Sequence, residues 1–596
     1  MATSGAVTGG VIVTFAINVD AKPIADALIV VSVNVEKKVN CIPIARIIIL
    51  DGSADTGTFD ASSSSTFVPG ASITIEAGYD LSNSLIFKGI ITKQTIRVDS
   101  LVGSALEIEC MDVAVKMTVS RKCVTFVDKK DSDIIASIVS SYGLSANITA
   151  TNVVRPQQVQ YYVTDWAYIV SQAEANGLLV VALNGKISVV KPDADTTPII
   201  TVGYGESLLE FNASLNSVSQ LGSITSNSWD YAQQMVNTAN VVNSIAGPGN
   251  LTSKALSEVV EIADYRQQTT AALNTTELTI WSNAQVIKSA YAKILGNAKF
   301  QGTCLVEPGK YITLQGLGDR FNGDHIISGV THNINDGNWF TEVAVGLPAD
   351  WLIEKADVIA PPASGLLPAT RGLLNGTVKA IGADPDNQFR ILVNVPMFDQ
   401  CENGLWARLS NFYSSSDAGA FFLPEVGDEV VLGFLNEDPR YPVILGSMYS
   451  NPKLKTPFAA DQINSIKGLK SRSGITIQFD DENEVLTLST PAGNNVVISD
   501  KDKQVTIKDQ NSNSIIMAED GITIKSEKNI NFEAGQQINI KGTQGINIQA
   551  SGGDVNVNGI NIKEIADMQY SATGAETAEL MSGMQLTLKS AMIMIN

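Results

Sequence analysis

The chain has 596 residues, of which 44% are hydrophobic and 17% are charged, and this balance is typical of a folded globular protein rather than a disordered one. A chain of this length is predicted to form several domains, because ordinary domains hold about 100 to 200 residues. Acidic residues outnumber basic residues by 61 to 41, and the resulting net charge of −20 argues against non-specific binding to nucleic acid or to anionic lipid.

Cysteine usage and the N-terminus predict a cytoplasmic protein without a signal peptide. The cysteines form no C-x-x-C pair, as expected in a reducing compartment; they are Cys41, Cys110, Cys123, Cys304 and Cys401. Residues Met1 to Val19 lack a basic n-region, and apolar stretches such as Ile42 to Leu50 are too short to span a bilayer. We therefore expect assembly in the cytoplasm and release by a route other than the general secretory signal.

The first part of the chain is predicted to alternate sheets with two short helices. Apolar and polar residues alternate from Val11 to Val98, which indicates half-buried strands. A helix is predicted after a Ser132 cap, with Gly143 placed to end it. A second helix is predicted from Asp165 to Glu174, and strands follow from Leu178 to Val190.

The middle of the chain is less regular. The Ala- and Ser-rich region from Ser223 to Gly296 is predicted to be helix and loop, and strands are expected from Gly302 to Val345. The residues from Pro361 to Gly365 form the clearest linker. A compact run of strands to Tyr449 and a polar connection from Asn451 to Gly468 come next.

The last part of the chain is repetitive, with apolar triplets that begin at residues 522, 530, 538 and 546. Each triplet places two apolar side chains on one face of a short strand; these residues are Ile522, Ile524, Ile530, Phe532, Ile538, Ile540, Ile546 and Ile548. Looser copies precede and follow, among them Ile560 with Ile562. One strand cannot bury such a stripe, so the repeats are expected to stack. A single-chain solenoid and a triangular prism made by three chains both satisfy the pattern.

A motif between Gly376 and Tyr449 resembles a known family. Its segments are Gly376-Thr377-Val378, Asp384-Pro385-Asp386, Phe389 to Pro396, Trp406-Ala407-Arg408-Leu409, Phe422 to Val431, Asp438 to Pro442 and Gly446 to Tyr449. It resembles the OB-type barrel of VgrG spike proteins and of the central spike of contractile phages. Trp406 and Phe434 are expected to anchor the barrel core. OB barrels that bind oligonucleotide or sugar are the other reading, and the acidic charge disfavours it.

The N-terminal part is similar to the hub domain of the same family, more weakly. The points of similarity include Phe67 to Gly70, Leu85 to Gly89, Gln160, Thr164 to Trp166, Ala173 to Leu178, Pro308-Gly309, Phe321 to Gly323 and His332. The resemblance implies a mainly β chain with an N-terminal hub of β-barrel subdomains with helical insertions, an OB-fold barrel and a C-terminal trimeric β-helix. The implied boundaries are 1–360 for the hub-like domain, 370–450 for the OB fold, 451–470 for a linker, 471–565 for the needle and 566–596 for a tip segment.

The resemblance also implies a function. The chain is expected to form the homotrimeric central spike of a contractile injection system, which connects tube and baseplate proteins to the puncturing tip and pierces the envelope of a target cell. A β-solenoid protein that binds or degrades polysaccharide is the alternative. We expect no enzyme activity, because Asn451 to Gly468 leaves no room for the lysozyme domain of some phage spikes, and we expect no cofactor and no nucleic-acid partner.

Candidate chemical sites are few. His325 and His332 lack a third ligand at metal spacing and are expected to be ordinary hub residues. Asp480, Asp481 and Glu482 are expected to be a solvated corner rather than a glycosidase pair.

The C-terminal end of the chain is instead apolar and rich in methionine, which is typical of an interface. A small PAAR-repeat-type tip protein is the expected partner, and its interface would be Leu586, Leu588, Met592, Ile593, Met594 and Ile595.

Overall fold

The computed structural model describes residues 3–4, 12–99, 103–262, 264–398, 403–450, 453 and 455–595. Val11, Cys401 and Asn596 lie outside the described residues. The chain divides into two compact units, Met1–Met448 and Tyr449–Asn596.

The N-terminal part of the first unit is mostly strand. Its strands are β1 Thr3–Ser4, β2 Val13–Val19, β3 Lys22–Pro23, β4 Val30–Lys38, β5 Ile44–Leu50, β6 Ser72–Tyr79, β7 Ser82–Asp99, β8 Gly103–Met111, β9 Arg121–Lys130, β10 Ser145–Ile148, β11 Val154–Thr164, β12 Leu179–Leu183, β13 Lys186–Val190, β14 Pro198–Gly203, β15 Leu208–Leu215, β16 Ser223–Asp230, β17 Met235–Val242, β18 Tyr265–Thr269, β19 Ile294–Gln301, β20 Tyr311–Gln315, β21 Gly323–Asn335 and β22 Asn338–Val345. The helices are α1 Asp60–Ser63, α2 Asp131–Ser141, α3 Asp165–Ala175, α4 Ser253–Ser257 and α5 Thr275–Tyr291.

A 14-stranded sheet organises this part. Its main path runs β1-β14-β20-β21-β4-β5-β8-β7-β6-β2-β3, and β22, β19 and β15 continue from β21. The predicted alternation is confirmed: in β4 and β5 every second residue is buried, as with Val33, Val35 and Ile47. Two apolar cores result, one around β2 and β4–β8 and another around β14 and β19–β22.

Helices α2 and α3 pack with β12 and β13 around a third core. Both predicted helices are present, and Thr164 caps α3 by accepting a hydrogen bond from the amide of Ala167 at 3.2 Å. The predicted Ser132 cap is wrong, because α2 begins at Asp131 with Lys130 before it. The Ser132 amide instead donates to Thr151 Oγ1 at 3.1 Å, so a side chain distant in sequence satisfies this amide of the first turn.

The prediction of helix and loop between Ser223 and Gly296 is wrong in part. Strands β17, β16 and β18 form a three-stranded sheet that packs on α5. The inward positions of β16 include Ser226 and Ser228 instead of apolar residues, so the strand lacks the usual apolar alternation. Their hydroxyls remain satisfied: Ser226 bonds to Ser282 of α5, and Ser228 donates to the Ala271 carbonyl at 2.8 Å.

The predicted OB-type barrel is confirmed. Its strands are β23 Leu374–Ala380, β24 Ile391–Asn394, β25 Leu405–Leu409, β26 Ser414–Ser415, β27 Ala418–Gly419, β28 Glu429–Phe434 and β29 Pro442–Met448. A closed barrel runs β23-β24-β25-β29-β28, with β26 and β27 as a separate small hairpin. Phe434 packs on the barrel core, but Trp406 does not belong to it. Ala407 points inward in β25, so alternation turns Trp406 to the other face.

The second unit begins with a meander of seven antiparallel strands. They are β30 Ile466–Lys470, β31 Thr476–Asp480, β32 Val485–Ser489, β33 Asn495–Ser499, β34 Gln504–Lys508, β35 Ser514–Ala518 and β36 Gly521–Lys525. Each strand pairs with the next, so its backbone ladder is closed within one chain. Short turns between consecutive strands form these hairpins.

Residues 526–595 follow a different pattern. The backbone bends at 527–528 and again every eight residues up to 591, so the eight-residue repeat runs past the expected boundary at 565. The bend at 551–553 has three residues and is called the wide bend below. Within the described residues 526–595, no main-chain amide donates to a main-chain carbonyl, and all side chains from 527 onward are exposed.

Candidate functional site in the C-terminal repeats

The meander has one strongly apolar face. In each strand from β31 to β36, the second and fourth residues are apolar and share this face. Direct cross-strand partners form two unbroken columns: one is Ile477, Leu488, Val496, Ile507, Ile515 and Ile524, and the other is Phe479, Leu486, Ile498, Val505, Met517 and Ile522. Directly opposed apolar side chains of this kind are the unit of sheet stabilisation.

One copy of the chain does not bury these two columns. Phe479 is 48% exposed, Ile498 is 43% exposed and Ile524 is 48% exposed. The central residues on the opposite face, such as Thr487 and Thr506, are largely polar. The sheet therefore has a defined apolar side that remains open to solvent.

The predicted trimer-core residues fall into two groups. Ile522 and Ile524 lie in β36 at the end of the two columns, opposite Met517 and Ile515. The other six, Ile530, Phe532, Ile538, Ile540, Ile546 and Ile548, lie outside strands and are 45–73% exposed. Within one chain these six have neither a backbone ladder nor a core.

The predicted tip residues are also open to solvent. Leu586, Leu588, Met592, Ile593, Met594 and Ile595 are all exposed and belong to the last eight-residue repeats. The structure therefore leaves the whole predicted interface unpartnered in a single copy.

The two histidines, His325 and His332, are buried in the first unit. His325 Nε2 lies 2.8 Å from the Phe321 carbonyl, and burial lowers the pKa of its imidazole. His332 is fully buried with Nδ1 3.1 Å from Thr341 Oγ1, and burial lowers its pKa well below 6.5. Among the described residues, no three His, Cys, Asp or Glu side chains are grouped so that they could hold a metal ion.

The acidic triplet begins at Asp480, the last residue of β31, and continues into the turn before β32. Asp480 accepts hydrogen bonds from the amide and side chain of Asn483, which lower the pKa of its carboxyl. Asp481 forms an ion pair with Lys467. These contacts bind the two aspartates to the turn and the neighbouring strand, so neither is held as one half of an acid-base pair.

Sequence reasoning did not distinguish the two kinds of repeat. The strands of the meander begin at 466, 476, 485, 495, 504, 514 and 521, mostly nine or ten residues apart, and this longer spacing was available in the sequence. It also paired Ile560 with Ile562 as a strand triplet, whereas Ile560 lies at a bend. The positions of the bends, which the sequence pattern did not reveal, separate the eight-residue repeats from the strands of the meander.

Comparison with known proteins agrees with this architecture. Residues 374–449 match the family model of the type VI secretion system and phage-baseplate injector OB domain. The chain is 27% identical over 128 residues to the type VI secretion spike protein VgrG1b of Pseudomonas aeruginosa, and this segment covers 20% of this chain and 17% of that protein. It is 35% identical over 69 residues to the actin cross-linking toxin VgrG1 of Vibrio cholerae, of which it covers 6%.

A solved structure is similar to the chain at low sequence identity. The 43 kDa tail protein of prophage MuSo2 from Shewanella oneidensis aligns over 56% of this chain and 99% of its own, with 10% identity and a TM-score of 0.45.

The injector OB match and the curated VgrG relatives support the class of VgrG-type spike proteins. Residues 10–336, more than half of the chain, match the family model described as the Alg8 N-terminal domain. The chain belongs to that family. It spans less than a fifth of the length of the curated VgrG relatives it matches.

Proposed function

We propose that the chain is one of three identical subunits of the central spike of a contractile, phage-tail-like injection system. The observation that carries this proposal is the open apolar surface of the second unit, which comprises the two columns of the meander and the eight-residue repeats behind them. Burial of apolar area stabilises by about 25 cal/mol per Å², so such a surface favours association with further copies.

Three copies satisfy both kinds of repeat. Three meanders arranged around an axis would turn their apolar columns inward and form a triangular prism. Within the described residues 526–595 no backbone amide donates to a backbone carbonyl of the same chain, and adjacent copies would supply these hydrogen bonds at the strand spacing of about 4.8 Å. Three copies are the number that the resemblance to VgrG-type spike proteins implies.

The partners follow from the position of each part in such a spike. The hub-like part, residues 1–360, would contact inner tube and baseplate proteins, and the repeats would form a stiff needle that pierces the target-cell envelope. Leu586 to Ile595 would bind a PAAR-repeat-type tip protein, which caps strand ends that would otherwise expose unpaired backbone. The proposed role is mechanical, with no catalytic residue, cofactor or metal ion.

The location follows from the same role. The spike would assemble in the cytoplasm and leave as part of an injection particle. None of the helices in the described residues is both long and apolar enough to cross a bilayer.

The molar mass of the purified full-length chain tests the proposal. Light scattering coupled to size exclusion should give three times 63.4 kDa at all concentrations measured. A mass of one chain would instead support the alternative of a single-chain β-solenoid that binds polysaccharide.

A further inference from the structure

The first unit contains a cavity of about 510 Å³, far along the chain from the C-terminal repeats. It lies where four segments meet: the segment before β14, the loop after β17, the junction between α5 and β19, and the start of β21. Four isoleucines line it, Ile245, Ile287, Ile294 and Ile326. Its volume lies within the range of about 300 to 1,000 Å³ that is typical of small-molecule sites.

A buried lysine contributes a positive charge to this apolar cavity. Lys293, between α5 and β19, lines the cavity and is 1% exposed. Its ammonium donates hydrogen bonds to the carbonyls of Ala246 at 2.6 Å and Leu251 at 2.9 Å. In the part of the chain that the structure describes, no carboxylate pairs with this ammonium, and burial lowers its pKa to about 8. A buried charge without a countercharge is costly, and one N–H of the ammonium remains for a ligand.

The tyrosine and histidine side chains of the cavity wall have no proton left to donate. A carbonyl oxygen only accepts, so the Tyr311 hydroxyl donates to the Pro192 carbonyl at 3.0 Å, and Tyr291 therefore donates to Tyr311 at 3.0 Å. For the same reason His325 Nε2 donates to a main-chain carbonyl at 2.8 Å. An anionic group in the cavity would thus be bound by Lys293 and not by these three side chains.

The surroundings of the ammonium leave space for one negative charge. Gly247 adopts a φ of +62°, and a Cβ at this position would lie 3.2 Å from Lys293 Nζ, so the glycine keeps the space beside the ammonium open. Two exposed carboxylates, Asp193 and Asp324, also line the cavity. They would repel a second negative charge on the ligand. The cavity therefore favours a ligand with a single anionic group.

We propose that this cavity is a binding site for a small monocarboxylate with an apolar chain, whose carboxylate pairs with Lys293 and whose chain packs on the four isoleucines. A charge-assisted hydrogen bond would supply the countercharge that Lys293 lacks. A concave site of this size suits a small molecule better than the surface of a partner protein. The inference goes beyond the proposed spike and does not depend on the number of copies, because all the lining residues belong to the first unit of one chain.

The main experiment is calorimetric titration of the full-length chain at pH 7 with octanoate and with octanamide, which has the same chain but no charge. One octanoate should bind per chain, at least tenfold more tightly than octanamide. Lys293→Met retains the approximate length of the side chain without its charge and should abolish this preference. The matched control is Lys299→Met on β19, where the lysine pairs with Glu210 outside the cavity, and it should bind octanoate as the wild type does.

The pH dependence of the same titration tests the role of the ammonium in the wild type. Because the pKa of Lys293 is about 8, octanoate affinity should fall about thirtyfold between pH 7 and pH 9.5, and octanamide affinity should stay constant. Burial raises the pKa of Tyr291 and Tyr311 and lowers that of His325, so each of these groups keeps mainly one protonation state over this range.

Thr196→Trp keeps the test decisive if Lys293→Met does not fold. Thr196 lines the cavity and is exposed, so a tryptophan there should obstruct the cavity without disturbing a core, and it should weaken both ligands at least fivefold. The site is refuted if neither ligand binds, if the wild type binds both equally, if a folded Lys293→Met retains the preference, or if Thr196→Trp binds as the wild type does. The molar mass from light scattering tests the spike separately, so either proposal can fail alone.

Discussion

Phe479 and Thr487 lie on opposite faces of the meander, so substitutions at these two residues test which face forms the trimer interface. Phe479 belongs to an apolar column, and Thr487 is the central residue of β32 on the other face. Phe479→Asp should abolish the trimer, because an unpaired charge in a buried site costs roughly 3 to 5 kcal/mol and three copies would meet. Thr487→Asp should leave the molar mass in light scattering unchanged. A trimeric Phe479→Asp variant with unaltered unfolding temperature would show that this face is not the interface.

His332 predicts a specific dependence on pH for the stability of the first unit. Its folded pKa lies well below 6.5 because of burial, whereas in the unfolded chain it titrates near 6.5. Below pH 6.5 the unfolded chain binds a proton that the folded chain does not, so the free energy of unfolding falls as the pH falls.

The measurement is the unfolding temperature of the first unit between pH 7.5 and 5.5. It should decrease more in the wild type than in His332→Met, which removes the buried titrating group. His325 shifts in the same direction, so a smaller decrease should remain in that variant. Equal slopes for both proteins would contradict a buried neutral His332.

At the scale of the element, apolar patterning predicted most of the strands, and polar strands escaped it. Alternation predicted β4 and β5 because most of their inward residues are valine and isoleucine. Strand β16 was not predicted because serines, Ser226 and Ser228, occupy inward positions where apolar residues are usual. Tertiary hydrogen bonds satisfy the two hydroxyls. The predicted Ser132 cap of α2 was wrong for a similar reason, because the Ser132 amide bonds to the side chain of Thr151, which is distant in sequence.

The repeats show what a periodic sequence can and cannot predict. The triplets predicted a shared apolar face, and the two columns confirm it for Ile522 and Ile524. Whether the backbone turns back on itself depends on the residues between triplets. The strands up to β35 begin nine or ten residues apart and β36 begins seven residues after β35, and all of them pair as hairpins, whereas the eight-residue repeats after β36 bend without pairing within the chain.

Ile538 and Asn539 test the eight-residue repeats directly. Ile538 is a proposed core residue, whereas Asn539 is the middle residue of the same triplet and would point the other way. Ile538→Asp should abolish or strongly destabilise the trimer, and Asn539→Asp should not. The readouts are molar mass and unfolding temperature, and a stable Ile538→Asp trimer would show that the axis has been misplaced.

At the scale of the whole molecule, the C-terminal end should matter for assembly with a partner and not for trimer formation. Deletion of Leu586–Asn596 removes the proposed cap interface but retains the meander and most repeats. The truncated chain should remain a trimer and should no longer co-purify with the small tip protein. Equal recovery of that protein with both chains would show that it binds elsewhere.

The wide bend at 551–553 has a consequence for how three chains find one alignment. Identical repeats allow a chain to slip by one repeat against its neighbours at little cost, which would give frayed, unequal ends. The repeat at the wide bend differs from the others, because its apolar pair, Val555 and Val557, is displaced by one residue. A slipped chain would place this repeat beside an ordinary one. The irregular repeat would therefore fix the register of the three chains, so that their C-terminal ends lie at the same level.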